Sequence, residues 1–407
     1  MRLLFVVQRF GDDVAGGAER ATLEYAVRLA ARGHEVEVAT SRALGYVDWA
    51  DHYPFGREQY QGVTVHRFPV SAPRSDARFA PLNLRVPWYP YGTPRVLERQ
   101  WLHAQGPHLP HLAPWLREHG PHFDVVVGCT YLYEPTWVTI ATLAGVVPTA
   151  LFPFAHDEPP LRLGIFEELL GLPDAYGFLT EEEAALVRRR ARRTTPGTVT
   201  GVGVDLDVDV SAAEVAGFRA AHGLGDRPYL LFLGRVDPAK GSLELADNFA
   251  AYKERQPSDL ALVFLGDPVG GRFDRPDMFF TGWVDEAAKH AAIEGSLALV
   301  HPSYFESFSI VLCEAWAQRR PAVVNAHCEV LAGQARRSGG ALPYRGFAQF
   351  EAALDMLVES PALAAALGAD GRAYVEQRYR WDDVVDRVEL VLDDARRAFA
   401  ASVRSAS

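Results

Sequence analysis

The sequence is poor in cysteine and contains no long apolar run. Its cysteines are odd in number and lack C-x-x-C spacing, which argues against a disulfide framework and a zinc site. We therefore expect three buried, small apolar side chains: Cys129, Cys313 and Cys328. No stretch of about 18 uninterrupted apolar residues occurs, as a membrane span would require. The first residues, MRLLFVVQRFGDD, lack a cleavage site of small residues, so we expect no secretion signal and a cytoplasmic protein.

Lysine is equally scarce. Of 41 lysine and arginine residues only three are lysines, Lys240, Lys253 and Lys289, so a lysine in a motif loop is more informative here than in most chains. The net charge of −11 argues against nucleic acid as a partner, because the molecule as a whole does not attract polyphosphate. A chain of 407 residues with 48% hydrophobic content is longer than one core usually supports, and we expect two domains.

The most informative stretch runs from residue 301 to 316 and reads HPSYFESFSIVLCEAW. An apolar segment precedes it and its second half has helical composition, so the pattern predicts a strand, a loop and a helix. Ligands of open parallel sheets bind beyond the carboxyl ends of the strands, which places Glu306 beside a ligand and Glu314 about one turn into the helix. The amides at the helix start would face a phosphate or a sugar hydroxyl: Ser307, Phe308 and Ser309.

Spacing alone is weak evidence for a site. With 52 acidic residues in 407, roughly six or seven pairs of acids eight positions apart arise by chance. The alternative interpretation is a solvated helix with one acidic residue before it. The preceding strand, the following helix and an upstream loop of opposite charge favour a ligand site.

That upstream loop follows the apolar segment 229–233 and reads GRVDPAKG, residues 234–241. Arg235 and Lys240 lie five positions apart around a turn, so both can converge on a diphosphate. A fixed cation pair would stabilise the charge that develops when a nucleoside diphosphate departs. The alternative is two solvated cations.

Two further sites follow strands in the first half. Gly16 and Gly17 precede a helix that runs to about residue 31, where adjacent glycines allow either close approach to a ligand or a simple tight turn. His156 follows the strand predicted at 148–154, where it can hydrogen-bond a substrate in either protonation state or serve the structure alone. Strands and helices alternate, as in a doubly wound sheet.

Taken in order, the segments GGAER, AHDEP, GRVDPAKG, GWV and E-x7-E resemble the motifs of retaining glycosyltransferases with the GT-B fold, most closely glycosyltransferase family 4. The resemblance implies an α/β protein with two Rossmann-like parallel-sheet domains that face each other across a cleft. Residues 1–204 would bind the acceptor and residues 205–380 the nucleotide sugar. A C-terminal helix at about 381–402 would pack back on the first domain.

The resemblance also assigns roles to residues. Glu306 would contact hydroxyls of the donor sugar, Glu314 the ribose and His156 the transferred sugar, while Arg235 and Lys240 would hold the diphosphate. The backbone of Trp283 and Val284 would bind the nucleotide base. The other implied donor-binding positions are Gly16, Gly17, Gly234, Ser307, Phe308, Ser309 and Ile310. Many family members carry Gly-Phe-Gly after the first glutamate, whereas this chain has Ser-Phe-Ser.

The implied reaction moves a sugar from a UDP- or GDP-linked donor to an acceptor hydroxyl with retention at the anomeric carbon. Front-face displacement would need neither an enzymic nucleophile, nor a metal, nor a cofactor, because Arg235, Lys240 and the helix amides supply the positive charge. The acceptor would be a sugar, a lipid-linked or a small molecule in polysaccharide, glycolipid or glycoconjugate biosynthesis. The segment 73–121 is an acceptor-shaping insertion, a patch for peripheral membrane contact, or an irregular loop with a short helix.

Other functions remain compatible with these residues. A nucleotide-sugar epimerase of the same fold would act without an acceptor. A catalytically silent sugar-nucleotide-binding partner would bind the donor without consuming it, and the two serines in place of glycines would be its mark. A nicotinamide oxidoreductase is disfavoured, because GVGVDL at residues 201–206 lacks the third glycine of a dinucleotide fingerprint.

Overall fold

The computed structural model describes residues 1–90, 92–268 and 275–406 of the chain. Contacts between residues divide it into two compact units. The first unit comprises Met1–Gly201 and Val384–Ser407, and the second comprises Val202–Asp383. The long C-terminal helix therefore begins in the second unit and belongs to the first from Val384 onward.

The first unit is built on an eight-stranded sheet with the order β3-β4-β2-β1-β5-β6-β7-β8. All neighbouring strands are parallel except β3, which pairs antiparallel with β4 at one edge. Its strands are β1 (Arg2–Val6), β2 (Glu35–Ser41), β3 (Gly56–Tyr60), β4 (Val63–Phe68), β5 (Val125–Cys129), β6 (Thr149–Phe152), β7 (Ala175–Phe178) and β8 (Gly197–Val199).

Helices follow most of these strands and cover the sheet. They are α1 (Gly17–Ala31), α2 (Asp76–Arg85), α3 (Arg95–Gln105), α4 (Leu112–His119), α5 (Glu134–Leu143), α6 (Gly164–Leu169) and α7 (Glu181–Arg190). Short 3-10 turns occupy Gly120–His122 and Pro159–Arg162. Every residue of β5 and the last four residues of β1 are buried, because both strands are covered on both faces.

The second unit has a six-stranded, fully parallel sheet with the order β11-β10-β9-β12-β13-β14. Its strands are β9 (Tyr229–Leu233), β10 (Ala261–Leu265), β11 (Met278–Gly282), β12 (Ala298–His301), β13 (Ala322–Asn325) and β14 (Ala341–Tyr344). Its helices are α8 (Ala212–Ala221), α9 (Ser242–Arg255), α10 (Glu286–Glu294), α11 (Ile310–Ala317), α12 (Glu329–Ser338), α13 (Phe347–Glu359) and α14 (Pro361–Arg378), and α15 (Trp381–Ala406) continues into the first unit.

Among the parallel strands of each sheet, the strand order reverses once. In the first unit the reversal lies between β1 and β5, and in the second it lies between β9 and β12. At such a point the loops leave two adjacent parallel strands in opposite directions, which opens a crevice at the carboxyl edge. The loops after β9 and β12, which the sequence predicts to bind a ligand, lie at this point of the second sheet.

The predicted fold class, an α/β protein with two mostly parallel sheets, is confirmed. The strands predicted from apolar runs are present, with ends that shift by one or two residues. Four short strands escaped prediction: β3 is polar, and β7, β8 and β14 have three or four residues each. The predicted buried cysteines are confirmed, since all three are buried and unbonded.

The segment 73–121 contains more helix than an irregular loop with a short helix, which was one of its three interpretations. It folds into α2, α3 and α4, and Tyr91 lies outside the described residues. Leu84, Trp88 and Tyr89 are largely exposed in this segment. No single helix in the described chain is both long and apolar enough to cross a bilayer; α13 and α14 meet that criterion only as a pair, and they are bent by 104°.

Candidate functional site

An ion pair joins the two loops at the reversal point of the second sheet. Lys240, from the loop after β9, places its Nζ 2.6 Å from Oε1 of Glu306, in the loop after β12. The Glu306 side chain is 12% exposed and that of Lys240 is 35% exposed, so the pair is only partly shielded from water. Two side chains that lie 66 positions apart in the sequence therefore meet at the predicted ligand crevice.

The loop after β9 has a rigid backbone. Asp237 accepts a hydrogen bond from the amide of Ala239 and so caps the 3-10 turn Pro238–Lys240. Gly241 follows with φ of 77°, and a Cβ there would lie 2.6 Å from the carbonyl oxygen of Pro302. Only glycine allows both this backbone conformation and this approach to the loop after β12. Arg235 in the same loop forms an ion pair of 3.0 Å with Asp237.

A buried histidine lies behind this ion pair. His301, the last residue of β12, is fully buried, and its Nε2 is 3.5 Å from Oε1 of Glu306. Burial lowers the pKa of His301 to about 4; Glu306 opposes this shift and Lys240 adds to it. The imidazole is therefore neutral at physiological pH and places a polar but uncharged surface against the carboxylate.

The loop after β12 ends in an unusual N-cap. Ser309 has φ of 76°, a left-handed conformation, and its hydroxyl accepts a hydrogen bond of 3.4 Å from the amide of Leu312. Phe308 is buried and packs edge-on against Tyr379, so its side chain belongs to the core and only its backbone can reach a ligand. Gln334 donates a hydrogen bond to the carbonyl oxygen of Phe308 and fixes that backbone.

The second glutamate is also paired with a lysine. Oε1 of Glu314, on α11, lies 2.8 Å from Nζ of Lys289, on α10, and Lys289 also contacts Glu286 at 2.7 Å. Burial alone would lower the pKa of Lys289, but the two carboxylates hold it above its ordinary value. The ammonium group is therefore firmly charged and fixes Glu314 from one side.

The predicted base-binding residues lie at the far edge of the same sheet. Strand β11 ends at Gly282, so Trp283 and Val284 lie in the loop before α10. The amide of Trp283 donates to Oδ1 of Asp267 at 3.2 Å, and its side chain is 75% exposed. The amide of Gly234 donates to the carbonyl oxygen of Leu265 and holds the start of the β9 loop against β10.

In the first unit, the glycine loop is anchored by a buried ion pair. Arg9, after β1, donates through Nε to Oε1 of Glu19 at 3.0 Å and through Nη2 to the carbonyl oxygen of Ala15. A Cβ on Gly16 would lie 2.2 Å from the Glu19 carboxylate, whereas a Cβ on Gly17 would contact nothing within 4 Å. The ion pair of Arg9 and Glu19 therefore requires glycine at position 16. At position 17 the absence of a side chain leaves open space at the start of α1.

His156 lies where β6 ends. Its Nδ1 is 3.5 Å from Oε1 of Glu158, which also accepts a hydrogen bond of 2.8 Å from the Tyr131 hydroxyl. Glu183, at the start of α7, accepts from the amide of Ala155 at 2.7 Å and holds the segment just before the histidine. Burial raises the pKa of Glu183 to about 7.

Comparison with known proteins bears on the family and the fold of the chain. Residues 227–360 match the family described as Glycosyl transferases group 1. A D-inositol 3-phosphate glycosyltransferase from Frankia alni is 28% identical over 397 residues, which cover 89% of this chain and 91% of that protein. The structure of sucrose-phosphate synthase from Thermosynechococcus elongatus superposes with a TM-score of 0.72 at 18% identity and covers 98% of this chain and 100% of that one. The structure of HepE from Anabaena in complex with UDP and glucose gives a TM-score of 0.72 at 15% identity, with 97% and 99% covered.

The chain is a glycosyltransferase with the GT-B fold. It resembles family 4, as the order of its motifs indicates. Within the second unit of this glycosyltransferase, the structure brings together Lys240 and Glu306, and it places Arg235 in the same loop. Gly16, Gly17 and His156 lie in the first unit.

Three contributors to the site were not predicted from the sequence of the glycosyltransferase. Lys289 was noted only as one of three lysines, and that scarcity was the available signal. His301 stands in the motif stretch but reads as the end of a buried strand. No sequence pattern indicated Arg9, because its hydrogen bond with Glu19 depends on how the loop after β1 folds back.

Ser309 provides a stability test of the loop after β12. Ser309→Gly removes the hydrogen bond that caps α11 but also removes the strain of a side chain in the left-handed conformation. Ser309→Ala removes the same hydrogen bond and keeps the strain. We expect the glycine variant to be more stable than the alanine variant by about 1 to 2 kcal/mol in urea unfolding. The same pair of substitutions at Ser211, which caps α8 at φ of −74°, is expected to differ by less. Equal differences at both positions would contradict the strained cap.

The neutral state of His301 predicts a pH dependence of stability. Its folded pKa lies below that of the unfolded chain, so the unfolded state binds more protons between pH 6.5 and 4, and the unfolding free energy falls as the pH is lowered through this window. We expect the stability difference between the wild type and His301→Asn to shrink by on the order of 2 kcal/mol from pH 7 to pH 4. Parallel pH profiles for the two proteins would show that His301 is not held neutral.

Proposed function

We propose that the protein transfers a sugar, with retention, from a nucleoside-diphosphate sugar bound to the second unit to an acceptor hydroxyl. The observation that carries this proposal is the contact between Lys240 and Glu306 at the reversal point of the second sheet. An isolated carboxylate or ammonium group has no reason to be held there. The two charges suit the two parts of a nucleotide sugar: the lysine can bind the anionic diphosphate, and the glutamate can accept hydrogen bonds from the sugar hydroxyls.

In this proposal the donor exchanges partners with the ion pair. The diphosphate binds Lys240 and Arg235, and the carboxylate of Glu306 turns to accept hydrogen bonds from the sugar hydroxyls. The neutral imidazole of His301, whose Nε2 lies 3.5 Å from Oε1 of Glu306, adds no charge that would compete with the donor for this carboxylate. Charge that develops on the departing diphosphate is then stabilised by fixed cations and by the amides at the start of α11, without a metal or a cofactor.

The other end of the nucleotide is proposed to bind through Glu314 and the backbone at Trp283 and Val284. Lys289 occupies Oε1 of Glu314, which directs the remaining carboxylate oxygen toward the ribose hydroxyls. Trp283 is 75% exposed, and because its amide donates to Asp267, the base is proposed to bind through the carbonyl group of Trp283 and the backbone of Val284. UDP and GDP are both compatible with contacts that are made mainly by backbone.

The acceptor is proposed to bind the first unit near His156 and the Gly16-Gly17 loop. Relatives named as D-inositol 3-phosphate glycosyltransferases favour a small phosphorylated polyol over a polymer or a lipid-linked sugar. A cytoplasmic location stays a prediction, and so does peripheral membrane contact, which the exposed Leu84, Trp88 and Tyr89 support.

The first experiment is a thermal-shift panel with UDP, GDP, ADP and NAD, followed by an assay of donor consumption with and without D-inositol 3-phosphate. A ligand at 100 times its dissociation constant stabilises the folded state by about 2.7 kcal/mol, which is measurable. We expect one nucleoside diphosphate to raise the melting temperature and NAD to have no effect. We also expect Glu306→Gln to lower turnover by about 100-fold or more while it leaves the fold intact.

The outcomes separate the alternatives. Donor loss without any acceptor would indicate an epimerase or hydrolase, and binding without loss in the presence of several acceptors would indicate a silent partner. Undiminished turnover in Glu306→Gln would contradict the site. His156→Ala is expected to lower turnover more than nucleotide affinity, because His156 is assigned to the transferred sugar.

Lys289 gives a second test that is specific for the ribose. We expect Lys289→Met to weaken binding of the preferred nucleoside diphosphate by about tenfold, and to abolish its preference over the 2′-deoxy analogue, because Glu314 loses the group that orients it. Lys253→Met is a matched control, since Lys253 on α9 donates to the carbonyl oxygen of Leu260 and touches neither glutamate. A preserved ribose preference in Lys289→Met would refute this role for the lysine.

A further inference from the structure

Two histidines and a glutamate converge in the first unit, outside the residues assigned to transfer. His103 lies on α3, His108 lies in the segment between α3 and α4, and Glu134 begins α5 directly after the loop from β5. Nδ1 of His103 is 3.2 Å from Oε1 of Glu134, and Nδ1 of His108 is 3.1 Å from Oε2 of the same carboxylate. The centroids of the two imidazole rings are 4.2 Å apart.

We propose that His103, His108 and Glu134 form a binding site for Zn²⁺ or a similar divalent transition metal. Two imidazole nitrogens and one carboxylate are ligands that such ions prefer, whereas Mg²⁺ and Ca²⁺ prefer oxygen alone. In a tetrahedral site with bonds of about 2.0 to 2.1 Å, neighbouring ligand atoms lie about 3.3 Å apart. His103 is 3.2 Å from Oε1 of Glu134 and His108 is 3.1 Å from Oε2, so each histidine is at about this distance from one oxygen, and a metal bound through a single oxygen requires one imidazole or the carboxylate to shift.

The three ligand atoms all lie within 4.8 Å of one another, so only modest movement completes the site. The side chain with the most room to move is His103, which is 57% exposed, whereas Glu134 is 13% exposed. The cysteine pattern excludes a thiolate site only. A histidine site of this kind escapes sequence analysis, because its members belong to three separate segments.

The site has an open side. His103 and Glu134 line a cavity of about 630 Å³ to which Arg78 and Arg99 also contribute. Three protein ligands leave the fourth position of a tetrahedral metal for water or for an anionic oxygen. The two arginines would favour an anion there. A metal ion would also tie α3, the segment after it and α5 together, and so stabilise the first unit.

This proposal does not depend on the proposed transfer reaction, because none of its residues is among those assigned to the donor or to the acceptor. The test uses untagged full-length protein that has been treated with a chelator and dialysed. Titration with Co²⁺, followed by visible absorption, is expected to give saturable bands of a four- or five-coordinate site at one equivalent. Competition with Zn²⁺ should abolish the bands, and Zn²⁺ should raise the melting temperature.

Variants locate the metal. His103→Ala changes an exposed side chain and is expected to fold normally but to lose metal affinity at least tenfold. His108→Ala and Glu134→Gln are expected to do the same. His111→Ala, which removes another exposed histidine nearby in the sequence, is the matched control and should bind like the wild type. Absence of saturable binding in the wild type, or equal binding in His103→Ala, would overturn the proposal.

Discussion

The second unit depends on one electrostatic constraint, the pairing of Lys240 with Glu306. A carboxylate with little exposure is costly unless a cation or hydrogen-bond donors compensate it. The fold meets this need by placing β9 beside β12. The loops that follow these two strands bring Lys240 and Glu306 into contact. The left-handed turn at Gly241 and the buried His301 both serve this contact, one by close approach of the backbones and the other by filling the space without adding charge.

Much of this architecture could be predicted because buried parallel strands are continuous apolar runs. The strands β1, β5, β9 and β12 are of this kind, and the residues that follow them are by geometry at the ligand edge. The edge strands β3 and β14 were missed because β3 is polar and β14 contains a proline. Within the site, sequence predicted which loops matter but not which side chains meet. The contacts of Lys289 with Glu314 and of Arg9 with Glu19 depend on helix packing and loop closure, which no local pattern encodes.

The Ser-Phe-Ser segment shows how a motif tolerates substitution. A glycine at position 309 would reach φ of 76° without cost, and serine reaches it because its hydroxyl caps α11 while Gln334 and the buried Phe308 hold the preceding backbone. These contacts thus hold the backbone between Glu306 and α11 at a position where serine stands in place of the glycine of many similar sequences.

The scarcity of lysine has a practical consequence for the chemistry of the surface. Acylation of an amine needs its neutral form, and the pKa of Lys289 is raised by its two carboxylates, whereas burial lowers the pKa of Lys253. Amine-directed reagents will thus favour Lys253 over Lys289. Lys253 lies in the last turn of α9, about 16 Å along the helix from the loop that holds Lys240. A dye or a solid support coupled there would lie away from the loop that contains Lys240.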